Sequence, residues 1–296
     1  MDEEAIDEIM ARVRKLEIRA RRLVKESFSG EYHSSFKGQG LDFDEHREYQ
    51  HGDEVRFIDW NVTARTGEPF IRTFREEREL NVILAVDISA SSLYGSHSLS
   101  KRELAAEIAA VLAFSAQQNG DKTGLLLFSA EPGLFIPPTK GTRNVLRLVR
   151  EILAARPADG ATSIKNAAEH LLNSVRKRSL VFLISDFFDH DYEKTLAALS
   201  RKHEVICLRL TDPAERKLPD AGKVTLVDPE TQHLITVNTS NANVRSGYEK
   251  LMRRQREGVR KFFKRNSIDS VELSTHRDYL PSLHRLFRRR AHRRTQ

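Results

Sequence analysis

The segment Asp87-Ile88-Ser89-Ala90-Ser91 sets one carboxylate and two hydroxyls at alternate positions, directly after the apolar run Val82-Ile83-Leu84-Ala85-Val86. In an extended chain, side chains two apart project the same way, so these three oxygens can converge on one point. A hard oxygen cluster of this kind suits Mg²⁺ or Mn²⁺. Its neutral hydroxyl ligands would leave the ion short of negative charge and open to an acidic group from outside. The same residues also fit an ordinary Ser-rich turn after a strand. Two pieces downstream favour the ion. Thr162 stands in Gly160-Ala161-Thr162 ahead of an apolar-periodic segment, and Asp186 closes the run Leu180-Val181-Phe182-Leu183-Ile184-Ser185. The candidate metal ligands are therefore Asp87, Ser89, Ser91, Thr162 and Asp186.

An apolar run with no polar alternation reads as a strand buried on both faces, as parallel sheets require. Such runs alternate here with helical patterns. Ser100-Lys101-Arg102-Glu103 has the form of a capping box and opens a helix that stops at Asn119-Gly120. A strand over 124–128 follows, with Leu134-Phe135-Ile136 before Pro137-Pro138 as an edge strand. Helices are expected over 142–153 and 163–175, then the strand ending at Ser185, a helix over 191–200 and a strand over 204–210. A hairpin at about 222–238 precedes a long basic helix. A strand over 268–273 and a helix over 279–287 end the pattern. The expected fold class is α/β, a doubly wound, mostly parallel sheet whose ligands bind beyond the carboxyl ends of strands, where the winding reverses. Asp87 and Asp186 both fall on that edge.

The chain has 296 residues, 39% of them hydrophobic, enough for one large core with appendages. No stretch approaches the ~20 apolar residues of a membrane span, and Met1-Asp2-Glu3-Glu4 is acidic where a signal peptide is basic, so a cytoplasmic location is expected. The single Cys207 reads as a small buried residue. Net charge is +7, but the excess lies in 243–265, with nine Lys and Arg against two Glu, and in 277–296, with seven Arg against Asp278. The rest is mildly acidic. Ile6, Ile9, Val13, Leu16, Ala20 and Leu23 make an apolar stripe on an N-terminal helix, which packs on its own domain or forms a coiled-coil seam. Residues 27–40, with four Ser and three Gly, read as a linker. The resulting division is an N-terminal helix over 1–27, a linker and signature segment over 28–79 that is mostly β, an α/β domain over 80–287, and a basic tail over 288–296.

The signature segment is polar, aromatic-studded and dense in mixed charge. Arg56, Arg65, Arg72, Arg75 and Arg78 stand against Asp53, Asp59, Glu68, Glu76 and Glu77. It reads as an ion-paired surface or as a recognition surface, with Arg56, Asp59, Trp60 and Arg65 as candidate partner contacts. The five ligand candidates together resemble the metal-ion-dependent adhesion site of von Willebrand factor type A (vWA) domains. In that family the serines and the Thr contact the cation while the acids act directly or through water. Gly40-Leu41-Asp42-Phe43-Asp44-Glu45, Arg47-Glu48-Tyr49-Gln50, Gly52-Asp53, Ile58-Asp59-Trp60-Asn61, Ala64-Arg65-Thr66-Gly67 and Phe74-Arg75-Glu76-Glu77-Arg78-Glu79, running into Asp87, resemble the bacterial family called domain of unknown function 58. That resemblance implies a type A domain behind a short signature segment. It also implies a MoxR-type AAA+ ATPase as partner in complex assembly or metalloprotein maturation.

No Gly-x-Ser-x-Gly elbow, Gly-x-x-x-x-Gly-Lys loop, His-Glu-x-x-His helix or Cys pair is present. Ser89 stands where a haloacid-dehalogenase-type phosphatase carries its second Asp. The expected function is therefore a non-enzymatic adaptor that captures an acidic side chain of a partner protein through Mg²⁺ or Mn²⁺. The alternatives are a binder of nucleic acid or anionic membrane surface acting through the basic C-terminal helix and tail, and a metal-dependent phosphohydrolase.

Overall fold

The computed structural model describes residues 3–36, 40–77, 79–97, 99–156, 161–228 and 233–294. Its centre is a six-stranded sheet of β3 (Asn81–Asp87), β4 (Lys122–Phe128), β5 (Pro132–Thr139), β6 (Leu180–Ser185), β7 (Glu204–Thr211) and β10 (Asp269–Ser274), in the order β10-β7-β6-β3-β4-β5. All neighbours are parallel except β4 and β5, and β5, with Pro137 and Pro138, is an edge strand. Alternation along β3 divides the core. Val82, Leu84 and Val86 face one layer, and Ile83 and Ala85 the other. The chain runs outward through β4 and β5, then returns to lay β6, β7 and β10 on the other side of β3. Winding thus reverses between β3 and β6, and the doubly wound α/β class is observed.

On the first face α4 (Lys101–Gln118) lies directly on the sheet and is itself covered by α1 (Glu3–Leu23) and α5 (Thr142–Ala154). It is buried from Lys101 to Ala116, and Ala105, Ala106, Ala109, Ala110, Ala113 and Ala116 permit the close approach this needs. The capping box at Ser100 and Glu103 is formed as the sequence implies. Helix α1 packs on its own domain through Val13 and Ala20, with Arg19 on Glu107 at 2.8 Å. On the second face α6 (Ile164–Ser174), α7 (Glu193–Lys202) and α8 (Ala242–Arg265) bury Leu171, Leu196, Leu199, Phe262 and Phe263. Cys207 in β7 is wholly buried, and burial raises its thiol pKa, consistent with a packing role.

Two segments differ from the sequence reading. The stretch taken as a linker continues α1 through a π-type turn (Val24–Phe28) into α2 (Ser29–Phe36). Tyr32 and Phe36 stack with Phe287, and Ser35 Oγ donates to the Phe287 carbonyl at 2.7 Å. Serines and glycines looked like a flexible link, but two aromatics at helical spacing supply the buried face. The segment taken as a basic tail is the end of α9 (Leu280–Arg294). Arg288 binds Glu31, Arg290 binds Glu204 and Asp269, and Arg293 binds Asp269. Three acids far away in sequence, Glu31, Glu204 and Asp269, offset part of the arginine run, which local charge counting misses.

The signature segment pairs β1 (Gly40–Glu48) antiparallel with β2 (Phe70–Glu77), broken by a register shift between Phe43 and Glu45, and holds the short α3 (Trp60–Thr66). Because β2 leads into the start of β3, the module joins the sheet at its amino edge. The hairpin of β8 (Lys223–Val227) and β9 (Leu234–Asn238) leaves from the opposite edge, after β7. Among the described residues no helix is long and apolar enough to cross a membrane.

His203, the C-cap of α7, is buried with Nδ1 accepting from Ser179 N at 3.3 Å, and its Nε2 finds no acceptor among the described residues. Burial, then Lys202 and Arg178, lower its pKa to about 4. The folded state keeps this ring neutral while the unfolded chain takes a proton near the usual 6.5, so its share of stability is lost as pH falls from there toward 4. In urea unfolding at pH 7 and pH 5, wild type is expected to lose about 2 kcal/mol or less beyond a His203→Leu variant. Equal losses would contradict this.

Candidate metal centre

The carboxyl edge between β3 and β6 gathers all five predicted ligands into one network. Asp87, the last residue of β3, is 4% exposed. Its Oδ1 accepts from Ser89 N at 2.9 Å, and its Oδ2 from Ser185 Oγ at 2.7 Å and, at the outer limit of a hydrogen bond, from Thr162 Oγ1 at 3.5 Å. Ser89 Oγ lies 3.1 Å from Ser91 Oγ, which donates to Asp186 Oδ2 at 3.0 Å. The chain turns into a 3₁₀ segment (Ala90–Leu93) after Ser89, and this bend, rather than a continued strand, swings Ser91 toward β6.

Each element at the site is fastened by its neighbours. Arg102, buried on α4, grips the loop after β3 by donating to the Ile88 carbonyl at 2.7 Å and to Ser92 Oγ at 3.0 Å. The loop carrying Thr162 is tied to the end of β4 where Ser163 N donates to the Ser129 carbonyl at 2.8 Å. Past β6, Phe187 adopts φ 59° while fully buried, a strained left-handed conformation for a non-glycine residue. It is held because Arg209 Nε donates to the Asp186 carbonyl at 3.1 Å and Gln255 Nε2 to the Phe187 carbonyl at 2.9 Å. That turn lets Phe188 N reach Asp186 Oδ1 at 3.1 Å and fixes the second carboxylate.

Sequence reasoning missed three participants. Ser185 precedes Asp186 and bonds to Asp87. Lys101, at the first position of α4 and 1% exposed, donates from Nζ to Asp186 Oδ2 at 2.6 Å and to Glu215 Oε1 at 2.5 Å. The only sequence signal for Lys101 was a cation in the first turn of a helix, where the macrodipole disfavours one. Glu215 gave no signal, since it comes from a 3₁₀ turn (Pro213–Glu215) after β7. Arg56, Asp59, Trp60 and Arg65 belong to the module of β1, α3 and β2, and none of their hydrogen bonds or ion pairs among the described residues reaches the Asp87 network. There Asp59 caps α3 and pairs with His46 and Arg72, Arg56 pairs with Glu54, and Trp60 is 66% exposed.

The charges are unevenly compensated. Although burial opposes it, Asp186 and Glu215 hold the Lys101 ammonium pKa above its usual value, so it stays charged. Among the described residues Asp87 accepts hydrogen bonds only from hydroxyls and an amide, and the buried Arg102 acts on it through space without a hydrogen bond or ion pair. Burial, and then the nearby Asp186, raise its pKa to about 6 against the opposing hydrogen bonds of Ser185 and Ser89. Among the described residues no group of three or more His, Cys, Asp or Glu converges, so soft or multi-carboxylate metal sites find no support there. Two carboxylates with three alcohols are instead the donor chemistry of a small hard cation, and Asp87, which has no directly bonded cation among the described residues, is where its charge would be most useful. By donor type Asp87, Ser89, Ser91, Thr162 and Asp186 fit Mg²⁺ or Mn²⁺.

Because the pKa of Asp87 is raised in the fold, the native state holds its proton longer than the unfolded chain does between the ordinary 3.8 and about 6. Stability therefore falls as pH rises through that window. In chelator-containing buffer, Asp87→Asn should gain on wild type from pH 5 to pH 8, by up to roughly 1.4 kcal/mol, one pKa unit of the shift. Urea titrations at both pH values measure the gain, and a variant that loses ground over that range would refute the assignment.

The model of the family described as "Protein of unknown function DUF58" matches residues 45–258. The chain is 30% identical to the uncharacterized protein Rv1480 of Mycobacterium tuberculosis over 278 residues, 93% of this chain and 87% of that one. It is 27% identical to the uncharacterized protein YeaD of Bacillus subtilis over 137 residues, 46% and 32% of the two chains. Among solved structures, BatB of Bacteroides thetaiotaomicron superposes at a TM-score of 0.48 with 17% identity over 72% of this chain and 99% of that one. The SpRpn10 VWA domain superposes at 0.40 with 12% identity over 71% and 95%. With a match across most of its length and a relative of this identity, the chain belongs to the DUF58 family.

Proposed function

We propose that this protein is a non-enzymatic interaction module that captures an acidic side chain of a partner protein through a divalent cation held by Asp87, Ser89, Ser91, Thr162 and Asp186. The observation that carries the reading is Asp87. It is a buried carboxylate without a cationic contact, at the point where the sheet reverses, ringed by alcohols that have oxygen to offer. A bound Mg²⁺ would supply positive charge there and a coordination position for an incoming carboxylate. The chain's own part is to hold the ligand set in place through Arg102, Arg209 and Gln255.

The sequence resemblance nominates a MoxR-type AAA+ ATPase as the partner, in complex assembly or protein maturation. A phosphohydrolase reading is weaker. No His lies among the hydroxyls and carboxylates that contact one another around Asp87, and the one strong base of that network, Lys101, stays protonated.

The alternative, nucleic acid or an anionic membrane surface, keeps one observation in its favour. Lys250, Arg253, Arg254, Arg260, Lys261 and Lys264 are all exposed on α8. The arginines of α9 lend it less support than the sequence suggests, since Arg288, Arg290 and Arg293 are ion-paired.

Biolayer interferometry with the full chain immobilised, against the purified MoxR-type ATPase of the same genome, tests the main reading. Binding in Mg²⁺ is expected to weaken at least about tenfold in chelator or in the Asp87→Ala, Ser89→Ala double variant. Affinity indifferent to both would remove the proposal. Binding that instead fell steeply with salt and needed no cation would favour the basic face of α8.

A further inference from the structure

The least expected group at this edge is the Lys101 ammonium. It is sealed from solvent, seated on Asp186 Oδ2 at 2.6 Å, and shares that oxygen with Ser91 Oγ at 3.0 Å. It has nowhere else to go. The backbone N of Lys101 donates to the Tyr94 carbonyl at 2.9 Å, its residue opens the capped first turn of α4, and its far side rests on Glu215 at 2.5 Å. The Phe188 ring lies 5.9 Å from Nζ and closes the remaining approach. Any ion bound by Asp87, Ser89, Ser91 and Asp186 must share a buried carboxylate with a fixed positive charge, at a depth where such interactions are poorly screened.

We propose that Lys101 is the residue that sets the cation affinity of this site: it competes with a divalent ion for Asp186, so that the ion binds weakly alone and firmly only once a partner's carboxylate completes the shell. The inference rests on the ion-site reading above and adds the energetic coupling between its two ligands. The added carboxylate brings a negative charge that offsets the ammonium. Linkage then makes the effect mutual, with the acidic partner raising cation affinity by the same factor as the cation raises partner affinity. Glu215 acts as the counterweight. By drawing part of the ammonium's field toward itself it relieves the competition at Asp186.

This arrangement gives two substitutions opposite signs, which a structural role for Lys101 would not. Mn²⁺ binding to the full chain, followed by electron paramagnetic resonance and by the rise in melting temperature, should tighten at least about tenfold in Lys101→Met. It should weaken several-fold in Glu215→Gln, which keeps the shape of the cap but leaves the ammonium to act on Asp186 alone. Circular dichroism reports whether each variant is folded. Equal Mn²⁺ affinity in wild type and Lys101→Met, or looser binding in the latter, would overturn the role of Lys101 and leave the ion site standing. Failure of all three folded proteins to bind millimolar Mn²⁺ would overturn the ion site itself and this inference with it. Binding by Lys101→Met but not by wild type would support both. Should Lys101→Met not fold, Glu215→Gln decides: weaker binding upholds the competition, and unchanged or tighter binding ends it.

Discussion

Two carboxylates held out of water at the ends of neighbouring strands must be given positive charge or be kept partly protonated, and much of the local structure answers that demand. Asp186 receives Lys101, a serine hydroxyl and a backbone amide. Asp87 receives only neutral donors. The asymmetry follows from topology. Helix α4 starts within reach of the end of β6, so its first-turn lysine falls on Asp186, while the next residue, Arg102, is spent on the Ile88 carbonyl and Ser92 hydroxyl of the loop after β3. A strained Phe187 turn is tolerated because Arg209 and Gln255 hold its carbonyls, and without that turn the second carboxylate would not face the first.

The fold's centre was legible because burial on both faces writes itself into a strand as an unbroken apolar run, and β3, β6 and β7 each carry one. Helix α4 was legible from its capping box, and β5 from its prolines. That the five candidate oxygen donors meet at one edge could be read because strand ends, reversal of winding and residue type all point to the same place. The compensating cation could not. Lys101 looked like one more surface charge in a helix cap, and its partners Asp186 and Glu215 lie 85 and 114 residues away. The same blindness to distance misjudged α9. Its arginines formed a solvated tail by local composition, yet Glu31, Glu204 and Asp269 converge on them from three other elements. Residues 27–40 failed for another reason. Ser and Gly content outweighed Tyr32 and Phe36, although aromatic burial exceeds the helix-propensity cost of several such residues.

The signature segment precedes the amino end of β3, whereas Asp87 closes the carboxyl end of that strand. The ion pairs of Arg47, Arg56 and Arg72 close within the segment rather than on the Asp87 network, although these residues precede it closely in sequence. Asp59 caps α3 and Arg47 forks onto Asp53 at 2.7 and 2.9 Å, so much of that mixed charge is internal scaffolding. Trp60 is the exception, being large, aromatic and mostly exposed.

The clasp between α2 and α9 carries a consequence for how the molecule comes into being. Ser35 closes on Phe287 across 252 residues, and the rings of Tyr32 and Phe36 meet Phe287 edge-on. During synthesis α1 can settle on α4 and α5 once they emerge, but the face of α2 that meets α9 stays uncovered until the ribosome has delivered the final helix. Contacts this remote are slow to close, which makes the early helices the natural place for a chaperone to hold the nascent chain.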